Sequence, residues 1–264
     1  MRKYIKVLKT SMAYEIEYRV NFFSAIVFSM IPFATNVLLW IAIYSTDNGK
    51  FDMSMKQMIT YFLCAFVVEN LVNNNTVHST GAEIKNGDIN KYLIKPCNYR
   101  KYVFYKALAH NLLFCAVGFL PIMCAVFLLR GYLSFNISGL QILFSFVAVM
   151  LAYVINFELN FILSLLAFYL SEVSSLFITI DVLKGLATGK VIPLSYFPSV
   201  ISSVLIFTPL QYICYFPIMI LVGDYSLAEI VQKLIIGVLW FLVLRIGSNF
   251  LWNKGLQRYS AFGG

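Results

Sequence analysis

A helix needs about 20 consecutive, mostly apolar residues to cross the hydrocarbon of a bilayer, and this chain carries such stretches one after another with short polar breaks between them. In lipid every backbone polar group must find its partner within the protein, which leaves helices as the way for such segments to span. The expected fold is therefore all-α and membrane-embedded, one transmembrane domain over residues 1–264. Its six crossings are expected at 22–44, 57–72, 102–129, 140–170, 174–189 and 230–252. Composition agrees: 60% of the residues are apolar and 12% charged, against roughly 45–50% and 25% in a soluble domain. Six spans and their loops use up the length, which leaves no room for a soluble catalytic domain.

The flanking segments carry the rest of the expected architecture. On a helical wheel, Arg2, Lys3, Lys6 and Lys9 share one sector and Ile5, Leu8, Met12 and Ile16 the other. Residues 1–20 read as an amphipathic helix lying in the interface, its lysines toward anionic lipid, or as a basic juxtamembrane tail. Between Val191 and Val222 the chain is apolar yet holds Pro193, Pro198, Pro209 and Pro217. That is too broken for one straight span and suits two short helices that dip into the membrane and return. With re-entry there, Lys50, Lys56, Arg130, Lys184, Lys190 and Lys233 fall on one side, and the other fourteen of the 20 Lys and Arg share the side of the amino terminus. The excess of positive charge places both termini in the cytoplasm. The net charge of +8 thus reports orientation and not nucleic-acid binding. The apolar run from Phe22 is too long for a cleavable signal, and five cysteines without CxxC or metal spacing imply no disulfide framework.

Catalytic motifs are missing: the sequence contains no GxxxxGK[ST], HExxH or GxSxG. His78 and His110 have no carboxylate at ligand spacing and read as structural or interfacial. Charges inside apolar spans are costly unless paired or wet, so Glu158, Asp181 and Lys184 stand out. Glu158 and Lys184 lie at similar depths on either side of a turn near residue 172, and Asp181 neighbours Lys184 at i, i+3. The expectation is a Glu158–Lys184–Asp181 cluster, either locking spans four and five together or relaying ions. Glu83 to Lys95 can form a short helix crossed by Gly87 and stopped by Pro96. Its apolar Ile84, Leu93 and Ile94 either rest on lipid or present a knob to a soluble partner.

Four segments in order carry a family resemblance: the basic amphipathic start, GDINKYLIKP (Gly87–Pro96), GKVIPLSYFP (Gly189–Pro198) and the end WNKGLQRYSAFGG. On a six-span frame the chain resembles the type-2 ABC transporter permeases, the membrane subunits of drug, peptide and glycoconjugate exporters. The resemblance implies a pair of permeases, identical or sister chains, on two cytoplasmic ATPase subunits that bind ATP and Mg. This chain itself would hold no cofactor and bind no nucleic acid. A coupling helix docking on the ATPase would map to 83–96, with Glu83, Ile84, Gly87, Asp88, Ile89, Leu93, Lys95 and Pro96. The interface helix, with Lys3, Lys6 and Lys9, would touch the same partner. Short outer helices over 191–222, with Gly189, Pro193, Phe197 and Pro198, would gate the exit. Phe33, Trp40, Phe62 and Phe66 suit a path for a hydrophobic or amphipathic drug, peptide or lipid, and equally suit lipid contact or packing. The setting implied is the cytoplasmic membrane of a bacterium. An ion-coupled secondary transporter using Glu158, Asp181 and Lys184 is the rival reading, and a lipid-acting membrane enzyme lacks the residues it needs.

Overall fold

The computed structural model describes residues 2–46, 51–133, 138–170 and 172–259, so the last residues of the carboxyl-terminal motif lie outside it. The described residues form helices joined by turns and short loops, with no strand among them. In order they are α1 (Arg2–Glu17), α2 (Arg19–Thr46), α3 (Met55–Val72), α4 (Thr76–Lys85), the single turn α5 (Asn90–Leu93), α6 (Tyr99–Val117), α7 (Phe119–Leu129), α8 (Gly139–Ser164), α9 (Ser174–Ala187), α10 (Ser199–Phe207), α11 (Tyr215–Val222) and α12 (Leu227–Arg258). Helix starts follow local chemistry. Ser54, Ser138 and Ser226 each cap a helix by accepting from the backbone N–H three residues on, and each donates its own backbone N–H to the side-chain oxygen of Gln57, Gln141 or Glu229 there, which satisfies donors that a helix start leaves free.

Among the described residues, four helices are long and apolar enough to cross a membrane: Phe23–Thr46, Met55–Lys85, Gly139–Phe168 and Leu227–Arg258. A fifth arises if the pair Tyr99–Val117 and Pro121–Tyr132, bent by 50°, counts as one span. The expected straight span at 102–129 is thus two helices. Pro121 lacks the N–H that would reach the Val117 carbonyl and its ring crowds that carbonyl, so the bend sits where the sequence places the proline. Pro32, by contrast, stays inside an unbroken α2. The expected crossing at 174–189 is the 14-residue α9, about 21 Å long at 1.5 Å per residue and short of a hydrocarbon core of about 30 Å.

Helix α8 is the hub, packed by α3, α4, α11 and α12. Ala148 and Ala152 are buried on it, and these small side chains let neighbouring backbones come close. Helix α1 packs along α6 instead of lying free. Tyr4 stacks on Tyr105 with ring centres 5.6 Å apart, and Lys3 Nζ donates to the Pro96 carbonyl at 2.5 Å. Lys6 and Lys9 stay exposed, as do Ile5 and Ile16.

Candidate functional site

The apolar stretch Met55–Lys85 is interrupted. Helix α3 ends at Val72, Asn73 turns to extended backbone (φ −66°, ψ 144°), and α4 resumes at Thr76. Consecutive asparagines favour such a break because their short amides compete with the backbone for its hydrogen bonds. Within a candidate span the freed carbonyls need protein partners, and asparagines from neighbouring helices supply them. Asn111 Nδ2 on α6 donates to the carbonyls of Asn70 at 3.2 Å, Leu71 at 2.8 Å and Asn73 at 2.8 Å. From α8, Asn156 Nδ2 donates to Val72 O at 2.9 Å, and Asn160 Nδ2 to Asn74 O at 3.3 Å and Asn74 Oδ1 at 3.0 Å. Lys184 Nζ on α9 then donates to Asn156 Oδ1 at 3.3 Å and Asn160 Oδ1 at 2.7 Å, which fixes both amides.

A cavity of about 790 Å³ opens against this break, within the size range of small-molecule sites. Its walls include Glu69, Asn73, His78, Asp181, Lys184 and Lys190, with Glu15 and His110 from the α1–α6 side. The charges are coupled in pairs. Lys190 pairs with Glu69, His78 Nε2 lies 2.8 Å from Asp181 Oδ2, Lys184 Nζ lies 3.9 Å from Asp181 Oδ1, and His110 Nδ1 lies 3.5 Å from Glu15 Oε1. Both histidines therefore have carboxylate neighbours that sequence spacing concealed, since His78 and Asp181 are 103 positions apart. A second cavity of about 130 Å³, lined by Pro32, Phe33, Phe62 and Phe66, adjoins the first. Glu69, Asn70, Asn73 and Lys190 belong to the walls of both, so the two cavities meet at the Glu69–Lys190 pair. Among the described residues, no group of three or more His, Cys, Asp or Glu side chains is placed to hold a metal ion.

The expected Glu158–Lys184–Asp181 cluster is corrected. Glu158 is two positions from Asn156 and so turns about 200° away around α8, toward α6 and α12. It accepts hydrogen bonds from Arg100, from Arg245 Nη1 at 3.2 Å and from Ser248 Oγ at 2.9 Å. Arg100 also donates to Asn249 Oδ1 at 2.6 Å. Asp181 and Lys184 do meet, on the cavity side.

Residues 83–96 form the end of α4, a turn and the single helical turn α5 instead of one helix. Gly87 makes the corner with φ +79°, a conformation that costs other residues about 1 kcal/mol or more. Ile84 and Ile89 are buried beneath Tyr99, Val103, Phe157 and Phe161, so they pack the segment onto the membrane helices and are not exposed knobs. Glu83 is held by the Tyr99 hydroxyl at 2.6 Å and by Lys106 at 3.4 Å. Asp88 pairs with Lys91 at 3.5 Å. Exposed on the outward side are Asp88, Lys91, Leu93, Ile94 at 83% exposure, Lys95 and Pro96. The adjacent loop is tied to α4 by Lys85 Nζ–Glu172 Oε2 at 2.9 Å, and Lys85 with Ser174 holds the Glu172 carboxyl down at about 2.

At the other end of α9, Gly189 turns the chain with φ +80°. Tyr61 Oη donates to its carbonyl at 2.6 Å, and Tyr215 N donates to Thr188 O at 3.0 Å. Pro193 is buried, Phe197 half-buried and Pro198 exposed. The two short helices α10 and α11 follow, the first exposed and the second buried against α3 and α8. Phe33, Trp40, Phe62 and Phe66 are all buried in the main core. Phe33, Phe62 and Phe66 also border the smaller cavity, whereas Trp40 stacks into an aromatic knot with Tyr44, Phe51 and Tyr196.

A family model described as ABC-2 family transporter protein matches residues 30–263. No curated protein matches the chain.

Proposed function

The chain belongs to the ABC-2 transporter family, and from that premise we propose that it is the membrane half of an ATP-driven exporter moving an amphipathic cargo. The observation that carries the reading is a cavity of about 790 Å³ set against a broken candidate span, with charged and amide side chains among its walls, next to a smaller cavity bordered by Phe33, Phe62 and Phe66. A cargo with a polar end and an apolar end finds both kinds of wall there. Discontinuous helices whose freed backbone is sheltered by protein are how membrane transporters build sites in mid-span.

In this reading two permeases, identical or sister chains, rest on two ATPase subunits in the cytoplasmic membrane of a bacterium. Both termini face the cytoplasm. Leu93, Ile94, Lys95 and Pro96 are the exposed part of the coupling segment and meet the ATPase, which binds ATP and Mg. Lys6 and Lys9 on α1 lie beside the same surface. Closing of the ATPases pushes on α4 through the packed Ile84 and Ile89 and so reaches the break at Asn73–Asn75, a two-state element biased by nucleotide. Helices α10 and α11, hinged at Gly189, form the outer gate with Pro193, Phe197 and Pro198.

The cavity's carboxylate and histidine pairs favour one rival, an ion-coupled transporter. Inverted membrane vesicles containing the chain and its ATPase separate the two. Uptake of a fluorescent amphiphile that requires ATP and survives a protonophore supports the exporter. Uptake driven by an imposed proton or sodium gradient without ATP would overturn it.

A further inference from the structure

We propose that the cavity at the α3–α4 break binds a head group that carries a positive and a negative charge together, with Glu69 and Lys190 as its counter-charges. The proposal names the cargo chemistry of the exporter reading and rests on that reading only for the statement that the bound molecule is cargo.

Glu69 closes the last turn of α3, and Lys190 follows the Gly189 corner that ends α9. They pair across the boundary of the two cavities, with side chains 27% and 36% exposed to that space. Both are therefore reachable, and neither is free. Asp181 beside His78 and Lys184 places a second carboxylate next to cationic partners on the walls of the same cavity.

An entering cation that takes Glu69 leaves the Lys190 ammonium without its partner in a partly shielded site. An entering anion that takes Lys190 strands Glu69 in the same way. Removing one member of a partly shielded pair carries a cost, smaller than for a fully buried pair, because the other charge loses its partner. A ligand with both charges exchanges one pair for two and strands neither. The site thus discriminates against singly charged ligands by the charge each would leave behind. Asn70 and Asn73, on both walls, add hydrogen-bonding groups for the rest of a polar head. The neighbouring cavity, which shares Glu69 and Lys190, brings Phe33, Phe62 and Phe66 close to that head group and gives an attached alkyl chain an apolar surface to lie against.

The test is binding to the full chain in lipid nanodiscs, without nucleotide. The probes are dodecylphosphocholine, dodecyltrimethylammonium, dodecyl phosphate and dodecyl maltoside, each below its micelle concentration, with free phosphocholine beside them. Dodecylphosphocholine is expected to bind at least tenfold tighter than the other three amphiphiles. Lys190→Gln should reverse the order in favour of the cation, and Glu69→Gln in favour of the anion. The exchanged pair Glu69→Lys with Lys190→Glu should restore the zwitterion preference. Free phosphocholine binding as tightly as its dodecyl form assigns the site to a soluble zwitterion; a large loss without the alkyl chain assigns it to a lipid-like one. Equal binding of singly charged probes by the unaltered chain, or selectivity that ignores both single substitutions, overturns the proposal. If the single variants do not fold, the unaltered chain and the exchanged pair still decide it. Because no ATP enters the assay, a failure here leaves the ATP-driven reading standing, and a failure of ATP-driven uptake leaves this result intact.

Discussion

Replacing Glu158 by Leu should cost more stability than any surface change, because of what it leaves behind. The Glu158 side chain is 4% exposed and that of Arg100 7%, whereas Arg245 is 40% exposed. Without the carboxylate, Arg245 can turn toward solvent or lipid head groups, and Arg100 cannot. Breaking a buried pair from one side costs about 3–5 kcal/mol. Arg100 keeps its bond to Asn249 and its place 5.4 Å over the Phe161 ring, so the lower end, about 3 kcal/mol, is expected. At ~2–4 °C per kcal/mol for a chain approaching this size, the melting temperature falls by roughly 6–12 °C. The assay is thermal unfolding in detergent, followed by thiol-reactive fluorescence and by size exclusion. The double variant Arg100→Leu with Glu158→Leu is the stringent arm, since apolar replacement of a whole buried pair is often neutral. It should return to within about 1 kcal/mol of the unaltered chain. A single substitution that leaves melting unchanged, or a double variant as unstable as the sum of its singles, would refute the reasoning.

Further outcomes follow from the same geometry. Gly189→Ala must hold φ near +80° with a Cβ 3.0 Å from both Tyr215 Cβ and Tyr61 Oη, and should lose about 1–2 kcal/mol in the same unfolding assay. Ile94→Asp should leave melting within about 0.5 kcal/mol while reducing ATPase coupling, whereas Ile84→Asp, which buries a charge, should lower melting by about 3 kcal/mol or more. The Glu172 carboxyl is lowered from 4.5 to about 2 in the fold, so its stabilising effect is present above about pH 4.5 and is lost as pH falls toward 2. The melting difference between the unaltered chain and Glu172→Gln should accordingly be full at pH 6–7 and shrink steadily below pH 4.5.

The long helices were legible because their apolar runs are continuous and bilayer thickness fixes the length required. The short helices at 199–207 and 215–222 were legible because four prolines cannot sit in one straight span. Span boundaries were less so: the bend after Val117 depends on where Pro121 falls relative to the turn before it, and the short α9 ends at a glycine that takes positive φ. The charge cluster was misread because depth along a helix is easily counted, while facing depends on rotation. Two positions on α8 separate Asn156, on the cavity, from Glu158, on Arg100. The asparagine clamp had a visible signal that went unused, a lone Asn111, Asn156 or Asn160 within an otherwise apolar run, where an amide is retained only if it has a partner. Its partners lie about 40 and 85 positions away, and no local pattern joins them. Ile84 and Ile89 looked available because the segment around them is polar; only the packing of Tyr99 and Phe161 over them shows which apolar residues remain outside.

On the exporter reading, this chain is the membrane partner of a separate ATPase and engages it through the outward residues of the segment 83–96. The most direct measurement is purification of the tagged chain from its native membrane, followed by identification of co-eluting subunits and ATPase assay of the eluate. The account predicts a second, soluble subunit with ATPase activity, retained with Glu158→Gln and lost with Ile94→Asp or Gly87→Trp although the variant chains remain folded. A chain that elutes alone without ATPase activity, or a complex indifferent to those substitutions, would contradict it.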